Sequence, residues 1–298
     1  MAVATQSKPV LMKKVIATLG ELPMSQAAVV STVMRMTSDI NTEVNKLSHA
    51  LSTDQALTAR VLRMSNSPFY GRMRGVTSLS EAIMILGFYT IRSLVVATST
   101  CAMFKRDNKS GLERELWNHS LAVALGSRIV ARCVGSPKVE EAFLAGLMHD
   151  IAKLVMLQRF SKEYQPVLDE ADRRGAPHLE IERELLGFTH AELGAIILDQ
   201  WNLPKFLVEV TRHHHDPDAG AAELGSGIGG NDVTKTAHIV CFANELARSQ
   251  GCGFREPTGE TMTGLRSTEF LALSPETIGQ IADELKVRFA EEMKLFEE

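Results

Sequence analysis

The 298-residue sequence predicts an all-α protein. Apolar residues recur three and four positions apart along most of the chain, and no segment shows the alternation of a half-buried strand. Capping-box patterns precede several of these segments, with serine or threonine three positions before glutamate or glutamine. Glycine and proline separate the segments from one another. The sequence therefore indicates a series of helices joined by short connections.

The composition is that of an ordinary soluble globular protein. Hydrophobic residues make up 45% and charged residues 23% of the chain, with a net charge of -4 and a pI of about 6.2. Because no strongly basic surface is implied, we expect no nucleic-acid partner. The four cysteines form no C-x-x-C pair, which favours a reducing cytoplasm over a disulfide framework or a zinc ribbon. No apolar run reaches spanning length, and the N-terminus has no signal-peptide core, so we expect a cytoplasmic protein without a membrane span.

Six helical segments account for the first half of the chain. Capping boxes at residues 52–55 and 78–81 precede two of them, and turn residues at 66–71 and Gly87 separate others. The last segment is the most apolar, and its length and its serine and threonine content indicate a buried core helix. The predicted helices are 13–22, 27–34, 43–51, 56–64, 82–86 and 89–104.

A polar stretch at residues 105–111 ends in glycine and separates the two halves. We predict an N-terminal helical lobe at residues 1–110 and a second helical bundle, with the C-terminal helix, at 111–298. A surface loop inside one domain would have the same composition, so this alternative stays open. Eight of the nine histidines follow residue 117 and only His49 precedes it. A metal site is therefore expected in the second half.

Eight helical segments account for the second half. A third capping box at residues 189–192 precedes one of them, and a proline lies at the first helical position of the last. Residues 217–232 are rich in glycine and predict a surface loop, because they lack the lysine and the preceding strand of a phosphate-binding loop. The predicted helices are 112–134, 139–157, 163–174, 180–186, 190–201, 204–213, 233–248 and 275–298.

The second half is organised around residues 146–153, Gly-Leu-Met-His-Asp-Ile-Ala-Lys. His149 and Asp150 lie inside an apolar helical run, where a buried charge costs several kcal/mol unless it is paired or bound to a metal. Coordination of a divalent metal by the imidazole and the carboxylate is one solution. A neutral histidine bonded to a nearby polar group, with the aspartate at a helix end, is the other. This stretch alone favours neither.

Seven side chains form a candidate metal-binding set without thiolates. Such ligands suit Fe, Mn or Zn, as one ion or two. A metal site of this kind could lower the pKa of a bridging water and hydrolyse a phosphoester, with Asp150 and Lys153 as catalytic residues and Lys153 on a phosphate oxygen. The same residues could instead hold a structural or sensory metal, or form a polar core without metal. The alternative for Lys153 is a solvated helix lysine. The candidate ligands are Glu115, His119, His149, Asp150, His190, His214 and His215.

Short motifs follow one another along the chain in a fixed order. The first half contains Asp-Gln-Ala-Leu-Thr-Ala-Arg-Val-Leu-Arg at 54–63 and Ser-Asn-Ser-Pro-Phe-Tyr-Gly at 65–71. The second half adds Trp-Asn-His-Ser at 117–120, the stretch at 146–153 and His-His-Asp-Pro at 214–217. The motifs and their order resemble those of the HDOD proteins, a divergent branch of the HD-domain superfamily. The resemblance extends over about residues 15–290.

The resemblance implies an all-helical fold in which the N-terminal lobe packs on an HD-like helical bundle. The family is associated with bacterial signal transduction and regulation, and many members have no demonstrated catalysis. Another signalling protein is therefore the expected partner, and the oligomeric state is not indicated. Its relatives, the HD-GYP phosphodiesterases, use a metal set that the seven candidate ligands resemble.

Two departures from those relatives bear on function. Their final metal-binding aspartate corresponds to Asn244, a neutral and weaker ligand, and their Gly-Tyr-Pro segment after the paired histidines is replaced by Asp216, Pro217 and the glycine-rich stretch. These departures favour a regulatory interaction module that binds metal without turnover. The near-complete ligand set keeps a metal-dependent phosphohydrolase as the alternative.

Overall fold

The computed structural model describes residues 8–18, 24–66, 75–105, 111–224, 230–255 and 261–297. Within these ranges the regular structure is helical throughout and contains no strand, so the predicted all-α fold is confirmed. The helices are α1 Lys8–Thr18, α2 Met24–Ser38, α3 Val44–Ser52, α4 Gln55–Ser65, α5 Leu79–Lys105, α6 Leu112–Cys133, α7 Val139–Met148, α8 Ile151–Arg159, α9 Ser161–Arg174, α10 His178–Leu185, α11 His190–Gln200, α12 Lys205–His213, α13 Pro217–Leu224, α14 Gly230–Ser249, α15 Arg266–Phe270 and α16 Pro275–Glu297.

Several predicted features lie partly outside the described residues. They are the end of the first predicted helix, the turn at 66–71, the polar stretch at 105–111 and residues 225–229 of the glycine-rich stretch at 217–232.

Two compact units divide the chain. The larger comprises Met1–Leu22 and Asp107–Leu285, and the smaller comprises Pro23–Arg106 and Lys286–Glu298. The predicted boundary between residues 110 and 111 stays a prediction and lies close to the point where the chain passes from the smaller to the larger unit. The units differ from the predicted lobes at both ends of the chain, because α1 packs on α11 of the larger unit and the last residues of α16 belong to the smaller one.

In the smaller unit, α2, α3 and α4 pack against α5. Gly87 interrupts α5 with φ 79° and ψ 164°, a conformation that is open in practice only to glycine. The predicted helices 82–86 and 89–104 are therefore the two arms of one kinked element. Helix α4 begins at Gln55, and its cap is Asp54, whose carboxylate accepts the Leu57 N–H at 2.9 Å. Asp54 thus takes the role that the pattern at 52–55 gives to a serine.

Helix α5 is also the one described helix whose length and composition would allow it to cross a membrane. Residues Leu79–Met103 have a mean hydropathy of 1.6 in their most apolar stretch, and 61% of that stretch is buried inside the protein. The sequence analysis expected no apolar run of membrane-spanning length because it took the two arms of α5 as separate helices. A mostly buried core helix of a soluble protein can have the same length and composition as α5.

Helix α6 lies at the centre of the larger unit. Helices α7 and α14 pack along it, and α12 packs on α7, α11 and α14. The close approach of α6 and α7 depends on Gly146, because a Cβ atom there would lie 2.8 Å from the Val123 carbonyl oxygen and 3.0 Å from the Ala124 Cα. This packing places the histidine-bearing ends of several helices next to one another.

The predicted helix 139–157 is in fact two helices. Helix α7 ends at Met148 and α8 begins at Ile151, so His149 and Asp150 form the junction. Asp150 leaves the helical region with φ -105° and ψ 16°. Consecutive side chains on a continuous helix diverge by about 100°. The junction lets both side chains face the same interior space.

Residues 217–224 form helix α13 where the sequence analysis predicted a loop. Pro217 is its first residue, and the Asp216 carboxylate accepts the Ala219 N–H at 3.1 Å, which caps the helix. Gly220 lies against the His213 ring, where a Cβ would be 2.7 Å from His213 Cγ. This glycine therefore serves close packing, whereas the sequence analysis took it as a sign of a loop.

Candidate metal centre

Six of the seven predicted ligands meet in the larger unit. They come from α6, from the α7–α8 junction, from the first turn of α11 and from the end of α12. Their ligand atoms form two groups of three, and within each group all atoms lie within 4.8 Å of one another. The groups are His119, His149 and Asp150, and His190, His214 and His215.

The Asp150 carboxylate connects the two groups. Its Oδ2 atom lies 3.3 Å from His149 Nε2 and 3.5 Å from His119 Nε2. Its Oδ1 atom lies 3.3 Å from His190 Nε2, which belongs to the other group. The six residues therefore form one cluster, here called the His–Asp cluster, with the carboxylate between its halves.

Glu115 is not part of the His–Asp cluster. Its side chain is exposed in the first turn of α6, whereas His119 one turn later is buried. The four-residue spacing does put both residues on one side of the helix. How deeply a side chain is buried depends on the elements that pack over that side of the helix. The first turn of α6 is less buried than the second.

Three of the histidines are oriented by backbone carbonyl groups. The Nδ1–H of His119 donates to the Cys252 carbonyl at 2.8 Å, that of His149 to the Gly146 carbonyl at 2.7 Å, and that of His214 to the Thr211 carbonyl at 2.7 Å. A carbonyl oxygen only accepts, so the proton of each neutral ring is on Nδ1 and a lone pair is on Nε2. The Nε2 atoms of His149 and His214 are buried and make no hydrogen bond to any residue that the structure describes.

Burial keeps the rings of His119 and His214 neutral, and the Asp150 carboxylate is ionised. Burial and the neighbouring His149 lower the pKa of His119 to about 3. Burial and His215 lower the pKa of His214 well below its ordinary value. Burial raises the pKa of Asp150, but His149 and Lys153 outweigh that effect and hold it well below its usual range. Lone pairs thus face an anionic carboxylate, an arrangement that a cation would stabilise.

The His–Asp cluster has the donor atoms and the spacing to hold a divalent metal. Two ligand atoms about 2.1 Å from a tetrahedral ion are roughly 3.4 Å apart. The Nε2–Oδ2 distances from Asp150 to His149 and His119, 3.3 and 3.5 Å, match that separation. Imidazole and carboxylate donors are those that suit Fe, Mn and Zn.

Lys153 is a buried partner of the cluster rather than a solvated helix lysine. Its side chain is 2% exposed, and its Nζ lies 3.0 Å from Asp150 Oδ2. The ammonium group therefore neutralises part of the charge that the apolar surroundings disfavour.

Sequence reasoning missed Glu182, which contacts His190. Glu182 on α10 is 1% exposed, and its Oε2 accepts the His190 Nδ1–H at 2.6 Å and the His190 backbone N–H at 2.7 Å. Its helix also carries the exposed residues Glu180 and Glu184. The spacing of the three glutamates does not show that Glu182 is the buried one. Glu182 does follow Ile181, which is also buried.

The third predicted capping box is confirmed and sets the position of His190. Thr189 Oγ1 accepts the Glu192 N–H at 3.2 Å, and the Glu192 carboxylate accepts the Thr189 N–H at 3.0 Å. His190 is thereby held at the first residue of α11.

We expect Thr189→Ala to lower the free energy of unfolding by about 1 kcal/mol more than Thr189→Ser does. Both variants lose the buried methyl group, so their difference isolates the capping hydroxyl. Urea unfolding monitored by circular dichroism measures this difference. Equal stability of the two variants would contradict the role of the cap.

Asn244 occupies the position at which the sequence resemblance places a final metal-binding aspartate. It lies on α14, is 4% exposed, and its Oδ1 accepts no hydrogen bond. Helix α14 packs on α6, α7 and α12, which carry or adjoin cluster residues. The chain therefore has a neutral amide at this buried position.

An all-helical fold with an adjacent His-Asp pair at a helix junction, surrounded by further histidines, defines the HD class of domains. A family model for the HDOD domain matches residues 22–217. That match covers more than half of the chain, and the protein belongs to the HDOD family.

Solved structures share the fold. An HDOD domain protein of unknown function from Geobacter sulfurreducens has a TM-score of 0.76 at 24% identity, over 91% of both chains. A proposed phosphohydrolase from Shewanella amazonensis SB2B has a TM-score of 0.69 at 23% identity, over 95% of this chain and 97% of that one. At these identities the likeness is one of fold alone.

Curated relatives match a shorter part of the chain. A Ribonuclease Y from Thermus thermophilus is 27% identical over 56% of this chain. The chain spans between 22% and 36% of the length of the curated relatives that it matches.

Proposed function

We propose that the protein is a cytoplasmic regulatory HDOD module that holds one or two divalent metal ions in the His–Asp cluster and acts by binding another signalling protein, without turnover. The observation that carries this proposal is the burial of Asp150 and Lys153, which are 1% and 2% exposed. A hydrolase would need Lys153 at a phosphate oxygen of its substrate, with Asp150 on the metal beside it.

The surroundings of the pair support a closed site. In a phosphohydrolase the metal held by these residues would supply activation of water for attack on phosphorus, and Lys153 would bind a phosphate oxygen. Here the lysine pairs with Asp150, and the four imidazoles of His119, His149, His190 and His214 are 3% exposed or less. Among the described residues of the cluster only His215 is partly exposed, and such limited access suits a structural or sensory ion better than a catalytic one.

A metal-dependent phosphohydrolase is the second candidate. The ligand set together with Lys153 favours it, and two similar proteins carry names of this kind, the proposed phosphohydrolase of Shewanella amazonensis and Ribonuclease Y. In that case Asp150 would bind the metal and Lys153 a phosphate oxygen. An RNA phosphodiester is then the first substrate class to test.

Metal content tests the site itself. In protein purified without chelator or nickel affinity, elemental analysis is expected to find about one or two equivalents of Fe, Mn or Zn. His149→Ala is expected to lose the metal. His49→Ala is the matched control, because His49 is an exposed histidine of the smaller unit. Folded wild-type protein without metal would refute the metal site.

Turnover separates the two candidates. Metal-loaded protein is incubated with bis(p-nitrophenyl) phosphate and with a single-stranded RNA, and no hydrolysis above the metal-free control is expected. Metal-dependent hydrolysis that His149→Ala abolishes would establish the phosphohydrolase instead. For the module, a partner signalling protein should be recovered with wild type and retained by His149→Ala, and failure to recover any partner would count against it.

A further inference from the structure

His190 is oriented differently from the three other rings of the His–Asp cluster whose Nδ1 contacts are defined. His119, His149 and His214 each donate to a backbone carbonyl. His190 Nδ1 instead lies 2.6 Å from a carboxylate oxygen of Glu182. The chain thus places a buried charge behind one imidazole of the His–Asp cluster.

Glu182 is itself fixed in place. The Tyr164 hydroxyl on α9 donates to its Oε1 at 2.7 Å, while the backbone N–H and the Nδ1–H of His190 both contact its Oε2. Tyr164 and Glu182 are both buried, and α9 packs on α10. Two helices therefore hold the carboxylate at the start of α11.

This contact determines which nitrogen of His190 faces the cluster with a lone pair. Glu182 accepts the Tyr164 hydroxyl at Oε1 and the His190 backbone N–H at Oε2, so both of its oxygens act as acceptors. His190 Nδ1 contacts the same Oε2 at 2.6 Å as a donor, so the ring proton is on Nδ1. Nε2 then presents its lone pair 3.3 Å from Asp150 Oδ1 and 2.8 Å from His215 Nε2.

We propose that Glu182, held by Tyr164, is a positioning residue that fixes the tautomer of His190 and strengthens its Nε2 as a metal ligand. A carboxylate behind a ligating imidazole raises the basicity of the ring more than a carbonyl does. The inference rests on the metal binding proposed above and is independent of whether the site turns over a substrate.

The test compares zinc affinities of full-length variants by competition with a zinc-binding dye. Glu182→Gln keeps the shape and the hydrogen-bonding capacity of the side chain but removes the charge, and we expect its zinc affinity to fall by about 10–100-fold. Tyr164→Phe keeps the ring and removes one hydrogen bond, and a smaller loss is expected. Glu180→Gln is the matched control on the same helix, because Glu180 is exposed, and should bind like wild type.

A second readout separates positioning from a general structural role. Two-bond 1H–15N NMR spectra of the metal-free proteins report imidazole tautomers, and His190 is expected in the Nδ1–H form in wild type and as a mixture in Glu182→Gln. If wild type binds zinc and Glu182→Gln binds it with equal affinity, this inference is overturned and the metal site remains supported. Absence of zinc binding by wild type would overturn both. If Glu182→Gln does not fold, unchanged affinity and tautomer in Tyr164→Phe would overturn the role of the pair.

Discussion

Replacing Asp150 with alanine is expected to abolish metal binding and to lower the free energy of unfolding of the metal-free protein by about 3–5 kcal/mol. The variant removes the carboxylate that joins the two halves of the His–Asp cluster and that lies 3.0 Å from the Lys153 ammonium. Lys153 is buried, so its charge cannot move into water when the carboxylate is gone. Urea unfolding in the presence of a chelator measures the loss.

A double variant tests the cause of that loss. Asp150→Ala combined with Lys153→Met removes both charges, and we expect it to be more stable than Asp150→Ala alone, because replacing a buried ion pair by apolar groups is often close to neutral. If the double variant is as unstable as the single one, the ion pair does not explain the effect. Metal stays lost in both variants.

Gly146→Ala is expected to lower the free energy of unfolding by about 1–3 kcal/mol and to weaken metal binding. The new Cβ would lie 2.7 Å from Ser127 Oγ and 2.8 Å from the Val123 carbonyl oxygen, so α7 would have to move away from α6. The Gly146 carbonyl also accepts the His149 Nδ1–H, so the same movement displaces a candidate ligand.

Gly279→Ala provides the matched control. A Cβ at Gly279 meets nothing within 4 Å, and the residue is exposed on α16. There the substitution is expected to stabilise the protein by about 0.5–1 kcal/mol, because alanine is the better helix former. Thermal and urea unfolding should therefore give opposite signs for the two glycines. A Gly146→Ala variant as stable as wild type would contradict the packing described for α6 and α7.

The fold class could be predicted from the sequence because helical periodicity is a local property. The junction at His149 and Asp150 could not, since no glycine or proline follows Met148 within the apolar run at residues 143–157 to mark the end of a helix. The chain leaves the helix there so that both polar side chains share one interior space. Helix α13 was missed for a related reason, because Gly220 serves close packing against His213.

Five of the six candidate ligands that converge lie in motifs that follow the family order, at 117–120, 146–153 and 214–217. Glu115 shows the limit of spacing, which gives the side of a helix but not the depth of a side chain. Glu182 and Tyr164 show another limit. Eight residues separate Glu182 from His190 and 18 separate it from Tyr164, and these contacts exist only because α9, α10 and α11 meet in the folded unit.

The contact between α1 and α11 has a consequence for how the chain reaches its folded form during translation. Residues 8–18 are synthesised before α11, which is complete only when residue 200 has been added. During that interval residues 23–106 of the smaller unit are synthesised, whereas α1, with its buried apolar residues Leu11 and Val15, has no completed α11 to pack on. Closure of the larger unit therefore requires a long-range contact that forms only after α2–α10 have been synthesised. A fragment that starts at residue 111 would omit α1 and leave its site on α11 uncovered.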